Sequence, residues 1–136
     1  MPDIEVARSV DRLMRRLHAA LNADAPRLDH HRIGPVGGMI LFTISDAEPA
    51  RPSAIVDRMA RDKSQVTRVL QLLEAKGLIA RQPDPEDSRA TRLILTESGR
   101  ETVVELEDAL ARALDKLLTP LDETERATLR DLLGKL

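Results

Sequence analysis

Five side chains between residues 64 and 71 carry a chemistry of their own. Ser64, Thr67, Arg68 and Gln71 gather on one side of a helix wound at about 100° per residue, with Gln65 toward its edge. Hydroxyl, guanidinium and carboxamide groups all donate hydrogen bonds, to phosphate oxygens or to acceptor edges of bases in a duplex major groove. No carboxylate lies among them; Glu74, near the far end, is the first. The alternative, an ordinary solvated face, would mix in acids and lysines on a chain that is 32% charged. Further along, Arg89 follows Asp87 by two residues. Side chains two apart in a hairpin share a side, so Asp87 can pair with Arg89 and fix its direction. An arginine at a protruding tip suits a minor groove, where negative potential is concentrated. The alternative there is an exposed ion pair of little consequence.

The elements that must hold these groups follow from the surrounding pattern. Val66, Val69, Leu70 and Leu73 fall within an arc of about 100°, which predicts a core face for a helix running from Ser64 to Lys76. Asp62 can cap it and Gly77 ends it. Ser53 can cap a shorter helix, Ala54 to Ala60, and the two form a helix–turn–helix unit. Leu78–Gln82 and Thr91–Thr96 read as strands around the proline-bearing polar loop Pro83–Arg89, a β-hairpin. Upstream, Val6, Val10, Leu13, Met14, Leu17 and Leu21 stripe a first helix that ends near Pro26. Pro35 opens a second helix through Ile44, with Gly37 and Gly38 inside it, as close packing or as room left for something else. Ser45–Pro52 reads as a turn-rich link. Downstream, a long helix from Thr96 to about Leu118 and a last one after Pro120 carry leucine stripes. The fold class is mainly α with a small β-hairpin.

Composition narrows the function classes. A chain of 136 residues with 42% apolar residues suits one folding unit. There is no cysteine, which removes disulfides, thiolate-bound zinc and thiol chemistry. Phe42 is the one aromatic, too few for a base-stacking platform on single strands. No apolar run reaches the length of a membrane span, and no apolar leader is seen at the start, so no membrane partner and a cytoplasmic location are expected. Residues 51–100 hold 10 basic and 7 acidic side chains on a chain of net charge −2, so the basic excess sits between acidic flanks. No nucleophilic triad or phosphate loop appears, and enzymatic activity and a cofactor are not expected. His18, His30 and His31 are too few and too close together for a metal site, and none is expected.

The run Ser64-Gln-Val-Thr-Arg-Val-Leu-Gln-Leu-Leu-Glu-Ala-Lys-Gly-Leu-Ile-Ala-Arg resembles the recognition helix and first wing strand of the MarR (multiple antibiotic resistance regulator) family. Asp84-Pro-Glu-Asp-Ser-Arg-Ala and Leu95-Thr-Glu-Ser-Gly-Arg are similar to that family's wing signature. The resemblance covers essentially the whole chain. It implies a single domain over 1–136: a winged helix–turn–helix DNA-binding lobe at 36–100, with dimerisation helices at 1–25 and 101–136. It implies a homodimer that represses or activates transcription, read here as a repressor on a near-palindromic operator in double-stranded DNA. Ser64, Gln65, Thr67 and Arg68 become groove contacts, with Gln71 on the same face and Arg89 as the wing arginine. Ser53, at a helix start, would lie near phosphate. Members of such a family often bind aromatic acids, and the resemblance places that site near the 28–44 segment. His31 and Arg32 could neutralise a carboxylate there. A winged helix used for protein–protein assembly without DNA is the alternative that the residues leave open.

Overall fold

The computed structural model describes residues 1–136. The element order is α1 (Ile4–Ala23), α2 (Ala25–Leu28), α3 (Gly34–Ala47), α4 (Pro52–Met59), α5 (Lys63–Ala75), β1 (Ile79–Pro83), β2 (Thr91–Leu95), α6 (Glu97–Leu118) and α7 (Glu123–Leu133). The chain divides into two compact units, residues 29–107 and the terminal segments 1–28 with 108–136. Helix α6 passes from the first into the second.

The unit 29–107 holds a continuous core. Ile40, Leu41 and Ile44 of α3, Ile55 of α4, Val66 and Leu73 of α5, and Leu93 of β2 are all fully buried. Helical and strand periods thus converge on one apolar interior, as the stripe on α5 requires. β1 and β2 pair antiparallel with Ile79 opposite Leu95 and Pro83 opposite Thr91. Ala50 adds a one-residue third rung against Leu93, with N···O distances of 3.1 and 2.6 Å. Gly37 resolves as close packing: a Cβ there would lie 2.8 Å from the Ile33 Cβ, so the space is occupied. Gly99, in the first turn of α6, has no room at all for a side chain, because a Cβ would run into the Leu78 carbonyl oxygen.

The terminal unit is different in kind. Asp3 caps α1 through the Val6 N–H at 3.0 Å, yet none of the helix's 20 residues is buried. Val6, Val10 and Met14 are 56%, 48% and 62% exposed. Asp122 and Glu125 form a reciprocal capping box at the start of α7. Arg126 on α7 bonds the Leu118 carbonyl at 3.0 Å and the Asp115 carboxylate at 3.0 Å, satisfying the open end of α6. Leu132 and Leu133 remain 54% exposed.

Four local expectations are corrected. A short helix, α2, follows α1, and Pro26 lies inside its first turn. α3 continues through Ser45–Ala47 into the expected link, because Ala47 packs against the core and outweighs the weak local propensity. α4 starts at Pro52, whose ring presets the first helical φ, so the cap position falls to Arg51 and Ser53 caps nothing. Ala60, expected to be helical, ends α4 in the left-handed region at φ 49°.

Candidate nucleic-acid interface

The site is built from the turn between α4 and α5. Asp62 accepts from the Ser64 N–H at 2.7 Å and the Gln65 N–H at 3.1 Å, closing the start of α5. These two amides, the Gln65 amide foremost, hold the Asp62 carboxyl below its ordinary range. With the helix start fixed and Val66, Leu70 and Leu73 anchored in the core, the opposite edge faces outward. Ser64, Gln65, Thr67, Arg68 and Gln71 are all exposed there, as is Ser53 in the first turn of α4. The one acid on the helix's own body, Glu74, is taken up by Arg81 of β1 at 3.0 Å.

Four acids of the stretch are held in place, two by arginines and two by backbone amides. Asp62 is spent on backbone amides, Glu74 on Arg81, and Asp84 on Arg51, with contacts of 3.0 Å to Nε and 2.9 Å to Nη2. Asp87 accepts the Arg89 backbone N–H at 3.0 Å. Four of the seven acids of residues 51–100 are thereby engaged internally, while Arg58, Arg61, Lys63, Arg68 and Arg89 are exposed and outside every ion pair. The edge is therefore rich in unpaired cations, although Asp62 and Asp87 keep their charge on backbone amides and Asp57 and Glu86 are exposed outside every ion pair.

The expected Asp87–Arg89 side-chain pair is not formed. Asp87 lies in the loop rather than on a strand, so alternation does not apply, and its short carboxylate closes an Asx turn on the nearer Arg89 amide. The guanidinium stays exposed. The acid that organises the wing is Asp84, which the sequence reading did not single out. Its side chain is 6% exposed, and besides Arg51 it accepts the Glu86 N–H at 2.9 Å. That amide, helped by the Arg51 guanidinium and opposed by burial, lowers its carboxyl below the ordinary range.

His31 and Arg32 are placed apart from this edge. The His31 Nε2 is 2.9 Å from the Glu105 Oε2 on α6, and its carbonyl accepts from Lys76 Nζ at 3.0 Å. Arg32 is exposed, with φ 56°. A carboxylate already faces the histidine, and Ile33 fills the space beside Gly37. Phe42 packs against the core.

A model of the MarR family matches residues 36–91. The exopolysaccharide II synthesis transcriptional activator ExpG of Rhizobium meliloti is 30% identical over 122 residues, covering 90% of this chain and 62% of that protein. The transcriptional repressor MprA of Escherichia coli is 30% identical over 100 residues, covering 72% and 57%. A MarR variant from E. coli, solved in complex with operator DNA, is similar with a TM-score of 0.70 at 26% identity, covering 97% of this chain and 93% of that one. The chain spans about three fifths of the length of the curated relatives it matches.

Proposed function

The chain belongs to the MarR family, and on that premise we propose that it is a transcriptional regulator that binds duplex DNA in a sequence-specific way. One observation carries the reading: the outward edge of α5 holds five hydrogen-bonding side chains and no free acid. Arg68 meets a guanine edge, Ser64, Gln65, Thr67 and Gln71 meet bases and phosphates, and Arg89 enters the flanking minor groove. Ser53 adds a phosphate contact from the first turn of α4.

The regulator acts as a homodimer and binds a near-palindromic operator. What supports this is the uncovered stripe of α1 and the exposed leucines of α7, which a second copy would bury. Repression by occupying the operator is the favoured mode, as MprA is named a repressor, although ExpG is named an activator. Release by a small carboxylic acid requires that ligand to displace Glu105 from His31, with Arg32 beside it.

Selection of bound sites from random duplexes tests the core of the proposal. Two inverted half-sites about one helical turn apart, roughly 34–36 Å, are expected. Affinity measured by fluorescence anisotropy should fall steeply with salt, as phosphate contacts release counterions. Binding that ignores salt and sequence would instead favour the protein-assembly reading.

A further inference from the structure

The hairpin has an inner half and an outer half with different support. Ile79, Leu93 and Leu95 are buried at its base, whereas Arg81, Gln82 and Pro83 are exposed and contribute nothing to the core. A two-stranded ribbon without a packed face is marginal and twists readily. The Glu74–Arg81 pair lies between side chains each more than a third exposed. Further out, Asp84 closes the loop: its N–H donates to the Ala90 carbonyl at 3.1 Å, and its carboxylate takes the Glu86 amide. The one bond from this hub to anything outside the hairpin is the Arg51 guanidinium, gripping Oδ2 through two nitrogens. Arg51 is also the cap residue of α4, and its neighbour Ala50 forms the rung to Leu93. Backbone and side chain of residues 50–51 therefore fasten the wing to the first helix of the helix–turn–helix.

We infer that Arg51 is a positioning residue for DNA binding, setting the pose of the wing through Asp84 so that Arg89 meets the minor groove in register with α5. A planar guanidinium bound through two nitrogens fixes direction as well as distance, which a lysine would not. Arg51 is itself half exposed, but its partner is nearly buried, so without it Asp84 loses its one ion-pair contact inside a mostly closed loop, with Arg92 left as the other nearby cation. The expected Asp87–Arg89 pair would have oriented one side chain; the Arg51–Asp84 pair orients the whole loop.

This inference rests on the proposed DNA-binding role, and two measurements on the full chain separate them. Without DNA, amide hydrogen exchange of Arg51→Ala should accelerate at Glu86 and Ala90 while the buried turns of α5 keep their protection. Unchanged exchange in the loop would overturn the inference whatever the protein binds. With the selected operator, Arg51→Ala should weaken binding roughly tenfold, equivalent to about 1.4 kcal/mol. Hydroxyl-radical protection should fade at the wing flanks, and single-base preference under α5 should persist. Arg51→Lys should recover only part of the affinity. In an Arg89→Ala background, Arg51→Ala should add little, because both act through the wing. Independent, multiplying effects would overturn the inference and leave the DNA-binding proposal standing; failure of the unmutated chain to select any site would overturn that proposal, with hydrogen exchange still deciding the role of Arg51.

Discussion

Helices α1 and α5 carry similar apolar stripes, yet they end in opposite states. In α5, Val66 and Leu73 are fully buried and Leu70 is 3% exposed. In α1, Val10 and Met14 stay 48% and 62% exposed, on a helix that is as well capped. Periodicity tells that a helix has an apolar face; it does not tell whose surface covers that face. For α5 the cover is the chain's own core, which leaves the opposite edge exposed, the edge proposed to read DNA. For α1 the cover has to come from elsewhere, and a second copy is the proposed source.

That contrast can be broken most forcefully at Leu73. Leu73→Ala removes a fully buried side chain and should cost ~2–5 kcal/mol, seen as a lower denaturant midpoint. Next in size, Val10→Asp combined with Met14→Asp should abolish the dimer in sedimentation while the unit 29–107 keeps its cooperative unfolding. A monomer already present before mutation would refute α1 as an interface.

At the proposed DNA-reading edge the effects are smaller and differ in character. Arg68→Ala should lose ~1–3 kcal/mol of discrimination at one base pair per half-site, measured against single-base variants of the operator. Arg89→Ala should weaken all sequences in similar proportion and flatten the salt dependence. Equal relaxation of specificity by both variants would erase the division between helix and wing.

The smallest expected effect is on acid stability. The Asp62 carboxyl titrates below its ordinary 3.8 in the folded chain, so on acidification the unfolded chain takes up the proton first. Its contribution is complete well above pH 3.8 and is lost as pH falls through the lowered folded value. Asp62→Asn keeps a good cap and removes the titration. Its denaturant midpoint should therefore drop less between pH 6 and pH 3 than that of the unmutated chain.

Much of this is legible in the sequence. The α5 stripe, the Asp62 cap, the Gly77 stop and the hairpin register with spacing, because each depends on residues close in sequence. The outward side of Ser64, Thr67, Arg68 and Gln71 follows from the same periodicity. The Ser53 cap failed on one competing rule, that Pro52 favours the first helical position. The Asp87–Arg89 side-chain pair is absent because Asp87 lies in the loop, where strand alternation does not apply. Arg51–Asp84 and His31–Glu105 lie 33 and 74 residues apart, and no local pattern joins such partners. The sequence marks which residues could act, whereas the contacts that aim them are made across the fold.

Gly99 has a meaning for the chain's tolerance of change. Its neighbour, the Leu78 carbonyl, belongs to backbone and cannot swing aside as a side chain would. Every other amino acid brings the same first carbon into that oxygen, so all nineteen replacements meet one obstacle. In a library randomised codon by codon, position 99 should behave almost like a nonsense mutation, indifferent to the size or charge of the newcomer. Arg68 and Arg89 should instead show graded scores that follow chemistry. The breadth of the score distribution at a codon, more than its mean, then distinguishes a residue kept for its shape from one kept for what it touches.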